Sequence, residues 1–330
     1  MSRLWIVGLL AIAAGTGAWW FLRHYQVQGL ENVAVKPRSG QTRGNAVPGQ
    51  TGAELPAVPA GKDTLRIATF NCGPVDAAKM AKLQVVNRLA QVIRKFDIVA
   101  LQDIQARNRG ILTQLVEQVN AEGRFYHYAV AANVDREVVH QYSAFVFDRA
   151  TVQVDLSTVY PLQDPDGRLR RAPLAASFRA RGPEESQAFT FTLVNVHVDP
   201  EHAGAELDLL DDVFRAVRDD GRNEDDVILL GDLGADDRHL GQLGKVPNLI
   251  GAVVGLPTLT RGTQGADNLV FDFRATKEFT GKSGVVDLMR ELNLTMQEAQ
   301  ELAGHLPVWA EFSVYEGGQP GTTLAKPPRR

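Results

Sequence analysis

The sequence predicts an α+β sandwich over residues 63–316, with two packed sheets and helices on their outer faces. Helical and strand periodicities interleave from residue 64 to residue 314. The strands come in adjacent runs instead of alternating one for one with helices, which suits a sandwich better than a parallel doubly wound sheet. Composition agrees, since 44% hydrophobic and 22% charged residues describe an ordinary globular chain.

The elements follow in order. Leu65–Asn71 is a β-rich run. Over Val75–Phe96 the residues Met80, Leu83, Val86, Leu89, Val92 and Ile93 recur at helical spacing, so one amphipathic helix is expected. Asp97–Gln102 reads as a short apolar strand and Ile111–Asn120 as a second helix. Strands are expected at Phe125–Ala131, Tyr142–Asp148, Val152–Pro161, Pro173–Ala180 and Ala188–His197. Ala203–Arg218 carries Leu207, Leu210, Val213, Phe214 and Val217 on one helical face. Val227–Leu230 and Asn268–Phe271 are short strands. Thr295 and Glu298 have the spacing of a capping box, which opens a helix through Leu302. Leu306–Val314 closes the domain as a strand.

The ends of the chain read differently. Leu4–Leu22 is a run of nineteen uncharged residues between Arg3 and Arg23, long enough for a helix to cross a bilayer. Trp19 and Trp20 fit an interfacial belt. Residues 1–25 are read as an uncleaved anchor with the domain on the extracytoplasmic side. The alternative is a secretory signal cleaved near Thr16-Gly17-Ala18, which would release a secreted protein. Residues 26–62, polar and rich in Gly, Pro, Gln and Ala, are expected to be a flexible linker, and 317–330 a disordered tail.

Net charge is −4, but residues 1–62 carry +4 and the remainder −8. An acidic domain is no charge-driven nucleic-acid binder, yet it suits an enzyme that meets phosphate through a bound divalent cation. The one cysteine, Cys72, excludes an intramolecular disulfide and a cysteine-based zinc site.

Four strings carry the chemistry: Asn195-Val196-His197, Gly231-Asp232-Leu233-Gly234-Ala235-Asp236, Asp267-Asn268-Leu269-Val270 and Gly304-His305-Leu306-Pro307. Each follows or ends an apolar run. Hydrolysing a phosphodiester needs neutralised phosphate charge, an activated water and a protonated leaving oxygen. Asp103 and Asp232, at strand ends, are candidate magnesium ligands, with Asn71 offering an amide to metal or phosphate. His197 and His305 are candidate acid and base, and Asp267 could fix one imidazole in its tautomer.

These strings resemble the endonuclease/exonuclease/phosphatase superfamily, and within it the deoxyribonuclease I branch, over about Thr64–Val314. Ile67-Ala68-Thr69-Phe70-Asn71 is similar to the first strand with its Asn. Asp97-Ile98-Val99-Ala100-Leu101-Gln102-Asp103 is similar to the strand that carries the metal-binding Glu. Tyr142–Phe147 resembles the next central strand, and Arg171-Ala172-Pro173 an Arg-x-Pro element of the branch. The resemblance implies a four-layer α/β/β/α sandwich. It also implies His197 and His305 as the acid/base pair, Asp267 orienting His305, and Asp232 beside them. Asp103, Asp232 and Asn71 would hold Mg²⁺, or Mn²⁺ or Ca²⁺. Asn71, Arg171 and Asn195 would bind substrate phosphate, with DNA as the expected substrate.

Departures stand beside these matches. Asp103 replaces the metal Glu, Gly234 replaces the Asn of Gly-Asp-x-Asn, and Gly304 replaces the Asp before the final His. The Glu that partners the first histidine falls near His140, with Glu137 a candidate substitute. Asp236 or Asp237 could occupy vacated space. The expected function is therefore a divalent-metal-dependent phosphodiester hydrolase, a deoxyribonuclease I-like endonuclease of reduced activity. The alternatives are an inactive membrane-tethered binding module and a lipid or phosphate-ester phosphodiesterase on the same fold.

Overall fold

The computed structural model describes residues 55–131, 140–164, 166–262 and 264–318. The expected N-terminal anchor, most of the linker, Glu137 and the tail beyond residue 318 lie outside them. No helix among the described residues is long and apolar enough to cross a membrane.

Each sheet has six strands. The first runs β11 (Phe279–Val285), β12 (Val308–Ser313), β1 (Thr64–Val75), β2 (Ile98–Ala106), β4 (His140–Asp148) and β3 (Tyr126–Ala129). The second runs β5 (Val152–Pro161), β6 (Leu174–Ala180), β7 (Thr190–His197), β8 (Val227–Asp232), β10 (Asp267–Asp272) and β9 (Leu249–Gly251). Both are mixed: β1 pairs parallel with β2, and β7 parallel with β8.

The central strands are apolar on both faces because both faces are covered. One row from each sheet meets between them, including Phe145, Phe178, Phe191, Phe271 and Phe312. Behind the first sheet lie α1 (Ala77–Met80), α2 (Leu83–Ile93), α3 (Gly110–Asn120), α6 (Leu288–Leu292) and α7 (Met296–Leu302). Behind the second lie α4 (Ala203–Leu207) and α5 (Leu210–Arg218). The layers are α/β/β/α.

Side chains alternate faces along a strand, and this parity places the site. On β1, Leu65 and Ile67 point between the sheets, and Thr69 and Asn71 continue that row. On β7 the row is Phe191, Leu193, Asn195, His197. On β8 it is Ile228, Leu230, Asp232, and on β10 Phe271, Leu269, Asp267. Each row begins apolar and ends polar at the same edge.

Four expectations need correction. The single helix over Val75–Phe96 is two. β1 continues to Val75, Asp76 caps α1 by accepting from the Lys79 amide at 2.8 Å, and the helix breaks at Lys82. Leu83, counted on the apolar face, is 66% exposed. Ala203–Arg218 likewise breaks at Asp208-Leu209. Leu207 and Leu210 are buried on either side, so the apolar period runs on across the break. β2 extends past Gln102 through an irregularity between Leu101 and Ile104. Strands β9 and β11 and helix α6 were not foreseen. The capping box is present: Thr295 Oγ1 accepts from the Glu298 amide and the Glu298 carboxylate accepts from the Thr295 amide.

Candidate active site

Three neighbouring strands deliver one polar row. His197 on β7 is in register with Asp232 on β8, and Asp232 with Asp267 on β10. The β7–β8 approach is closest at Gly231, where any Cβ would overlap the Val196 carbonyl. Gly231 is therefore dictated by backbone packing, and it sets the carboxylate that follows it.

Asp232 is the hub. Its Oδ1 accepts from the Gly234 amide at 3.0 Å and its Oδ2 from Asn71 Nδ2 at 2.8 Å. The same Oδ2 stands 3.8 Å from His197 Nε2 and 3.7 Å from His305 Nε2. Asn71 Nδ2 also lies 3.4 Å from His197 Nε2, while its oxygen accepts from the Gly73 amide. Gly234 adopts φ +62°, a left-handed conformation that Asn also tolerates.

His305 is held from behind. Its Nδ1 lies 2.8 Å from Asp267 Oδ2, which also accepts from the Thr258 hydroxyl at 2.7 Å. Thr258 in turn accepts from the amides of Ala266 and Asp267, and Leu259 bridges to His305 across the chain. Burial pushes Asp267 up to about 6, against the hydrogen bond from His305. Burial alone would lower His305, but Asp267, Asp232 and Asp103 outweigh it and raise it to about 9. Between those values the pair is carboxylate and imidazolium. His197 is lowered from its ordinary value by burial and by Arg171, against the pull of Asp232. Its Nδ1 is buried and has no hydrogen-bond partner among the described residues. The position where the family's Glu was expected to fall holds His140, and Glu137, the candidate substitute, lies outside the described residues. Neither Asp236 nor Asp237 moves into the group. Asp236 accepts from the Arg238 amide and binds His239, and Asp237 accepts from the Gly255 amide.

Asp103 takes φ +61° at the irregularity in β2, a device that re-aims a side chain. Its carboxylate accepts from Gln105 and from Gln141, and Gln141 Oε1 accepts from Arg171 Nε at 2.5 Å. Gln141 thus joins the two residues, a link that nothing in residue spacing signals. Arg171, Arg170, Gln141, Tyr142, His197 and Asp199 line a cleft of about 440 Å³. Arg171 Nη1 is buried and has no hydrogen-bond partner among the described residues.

Asn195 requires correction. It is fully buried between the sheets, its Nδ2 donates to the carbonyls of Leu101 and Ala144, and its oxygen accepts from Gln102 at 2.7 Å. Every amide atom is engaged inside the core, so Asn195 ties the two sheets together and offers nothing to a phosphate.

No protein-family model matches the chain. Among curated proteins, it is 26% identical over 263 residues to "Deoxyribonuclease-1-like 1" of Mus musculus, covering 77% of this chain and 82% of that one. It is 25% identical over 262 residues to "Deoxyribonuclease gamma" of Rattus norvegicus, covering 74% and 83%. Among solved structures, a functionally unknown conserved protein from Enterococcus faecalis V583 superposes with a TM-score of 0.52 at 13% identity, covering 74% of this chain and 98% of that one. A humanized D. rerio TDP2 also superposes at 0.52, with 12% identity and coverage of 76% and 98%. The structural likenesses establish the fold.

Proposed function

The chain is a deoxyribonuclease I-like member of the endonuclease/exonuclease/phosphatase superfamily, and from that premise we propose that it is a divalent-metal-dependent phosphodiester hydrolase that nicks DNA. The observation that carries the reading is Asp232 standing within 4 Å of two imidazoles, whose surroundings push one below and the other above the ordinary value. Groups pushed apart in this way make a natural acid and base.

The donor chemistry fits a hard divalent cation. Asp232 and Asp103 offer carboxylate oxygens, and Asn71 an amide oxygen that also accepts from the Gly73 amide. Among the described residues, neither carboxylate has a Lys or Arg ion-pair partner. These three would hold Mg²⁺, or Mn²⁺ or Ca²⁺ in its place. Such a cation supplies charge neutralisation at the phosphoryl oxygens. His197, kept neutral by burial, accepts the proton of the attacking water. His305, kept charged by Asp267, donates to the leaving oxygen. Arg171, with a buried Nη1 that no described residue engages, binds a phosphate from the cleft side. Asn71 holds Asp232 in place.

Two departures argue for slow turnover. Gly234 supplies no side-chain amide where the family has one, and loss of one preorganised donor costs roughly 10²–10³ in rate. No described residue partners Nδ1 of His197, so none of them fixes its tautomer. That same atom favours a second reading, a binding module whose chemistry has lapsed. The test is nicking of supercoiled plasmid with Mg²⁺ or Mn²⁺, against a His197→Ala/His305→Ala control. Metal-dependent nicking absent from the control supports the enzyme, and no nicking by the folded protein supports the binding module. We also propose that Leu4–Leu22, outside the described residues, anchors the domain to a membrane on its extracytoplasmic side. Membrane flotation of the full chain but not of a chain lacking residues 1–25 tests it.

A further inference from the structure

The proposed reaction needs a cation and a substrate phosphate side by side, and two of the residues that would hold them come from different sheets. Asp103 lies on β2 in the first sheet, and Arg171 just before β6 in the second. One side chain touches both. Gln141 Nε2 donates to Asp103 Oδ1, and Gln141 Oε1 accepts from Arg171 Nε at 2.5 Å.

Strand register puts Gln141 there. It stands on β4 directly opposite Gln105 on β2, so the two side chains share a face. Gln105 Nε2 also donates to Asp103 Oδ1, at 2.8 Å. Both amides therefore end on one oxygen. Among the described residues Asp103 Oδ2 takes no hydrogen bond, which leaves it to a cation.

The Gln141 amide has a fixed sense. A guanidinium can only donate and a carboxylate can only accept. Turning the carboxamide over would set its nitrogen against Arg171 and its oxygen against Asp103. Residue type is constrained in the same way. Glutamate would repel Asp103 and lysine would repel Arg171, whereas a neutral group that donates at one atom and accepts at another suits both. Among the described residues Arg171 makes no ion pair, and its Nη1 has no hydrogen-bond partner. Its backbone is held separately. The Arg170 amide donates at 2.8 Å to Glu206, whose other oxygen accepts from the Asp199 amide at 2.9 Å. With that loop tied to the chain just beyond His197, the freedom left is in the Arg171 side chain, and Gln141 restrains it.

We propose that Gln141 is a positioning residue that couples the cation to the substrate phosphate. It presents one oxygen of Asp103 and holds the Arg171 guanidinium at the cleft that His197 also lines. The inference rests on the proposed function, since it takes Asp103 to meet a cation and Arg171 a phosphate.

The experiment compares the full chain with Gln141→Met, Arg171→Met and the double variant. Met keeps the length of Gln and removes both bonds. Calorimetry without DNA gives the Mn²⁺ affinity, and supercoiled plasmid at saturating Mn²⁺ is followed for binding and for nicking. Hydrogen-bond partners of metal-binding carboxylates are typically worth about 10–100-fold, so Gln141→Met is expected to weaken Mn²⁺ binding about tenfold. Arg171→Met should not weaken it. Gln141→Met should also weaken plasmid binding and lower kcat/KM about tenfold, but change either less than about twofold in the Arg171→Met background. Gln141→Ala removes the same bonds without added bulk and carries the same expectations should Gln141→Met not fold. A side chain that only packs β4 against β2 would leave Mn²⁺ affinity unchanged and cost the same factor in both backgrounds, and either result overturns the assignment. A chain that never nicks, yet loses Mn²⁺ and plasmid affinity in Gln141→Met as expected, contradicts the hydrolase and supports Gln141. Nicking with an Mn²⁺ affinity indifferent to Gln141 does the reverse, and an unaltered chain that binds no Mn²⁺ overturns both.

Discussion

Asp232 Oδ2 lies almost equally far from two imidazoles, and their states diverge because their second nitrogens differ. His305 Nδ1 meets the buried Asp267 carboxylate, whereas His197 Nδ1 meets no hydrogen-bond partner among the described residues. Activity is expected to rise with pH as Asp267 ionises at about 6 and His197 loses its proton below its ordinary 6.5. It should fall as His305 deprotonates, at about 9 without metal and lower with a cation beside Asp232. A pH–rate profile, with imidazole NMR titration of the metal-free protein, checks both limbs. Asp267→Asn removes the charge that raises His305. Its alkaline limb should move to lower pH and kcat should drop roughly 10²–10⁴-fold. The glycine departures are testable in reverse. A Cβ on Gly304 would meet nothing within 4 Å, and Gly234 has a backbone that Asn accepts with ordinary contacts. Gly234→Asn/Gly304→Asp is expected to fold normally and nick plasmid about tenfold faster or more. His197, Asp232, Asp267 and His305 could be singled out in the sequence because each lies at or beside the terminus of an apolar strand. Gln141 and Thr258 could not, because their roles depend on contacts between segments distant in sequence. Asn195 was misassigned because the motif that includes it does not say which way its side chain points.

Strand parity explains both that error and the site. Asn195 and His197 share the inward row of β7, but Asn195 sits one step deeper, under the cover of both sheets. Asn195→Ala would leave the Leu101 and Ala144 carbonyls and the Gln102 amide short of partners. It should cost about 3 kcal/mol, near 10 °C in midpoint, while the folded fraction keeps its nicking rate within a few-fold. Gly231→Ala has the opposite character. The overlap with Val196 must force β7 from β8, so His197 and Asp232 separate and activity is lost along with stability, as circular dichroism and nicking together would show. The central strands were legible from their continuous apolar runs. β11 was not, because Phe279–Val285 includes Gly281, Lys282 and Gly284 and lies at a sheet edge. β9 is three residues long, too short to carry a period. α6 is also short, though Asp287 caps it by accepting from the amides of Met289 and Arg290, a signal the sequence did contain.

The whole molecule separates two groups of polar residues by the length of its strands. One edge of the sandwich gathers His197, Asp232, Asp267 and His305 beside a cleft lined by Arg170 and Arg171. The other gathers the carboxylates of Asp226, Glu278 and Glu316. The acidic net charge of the domain is thus not spread evenly, and under the proposed function a polyanion would be met through the arginines of the cleft and a cation held by Asp232. Binding of DNA should accordingly weaken with salt only gently, by the few phosphates those arginines reach. The measurement that bears most directly on the account is nicking of supercoiled plasmid by the purified full chain in Mg²⁺, Mn²⁺ or Ca²⁺, beside His197→Ala/His305→Ala and an EDTA control. Slow, metal-dependent nicking that disappears in both controls is the predicted result. A folded chain that binds plasmid yet never nicks it, with any of the three metals, would contradict the hydrolase.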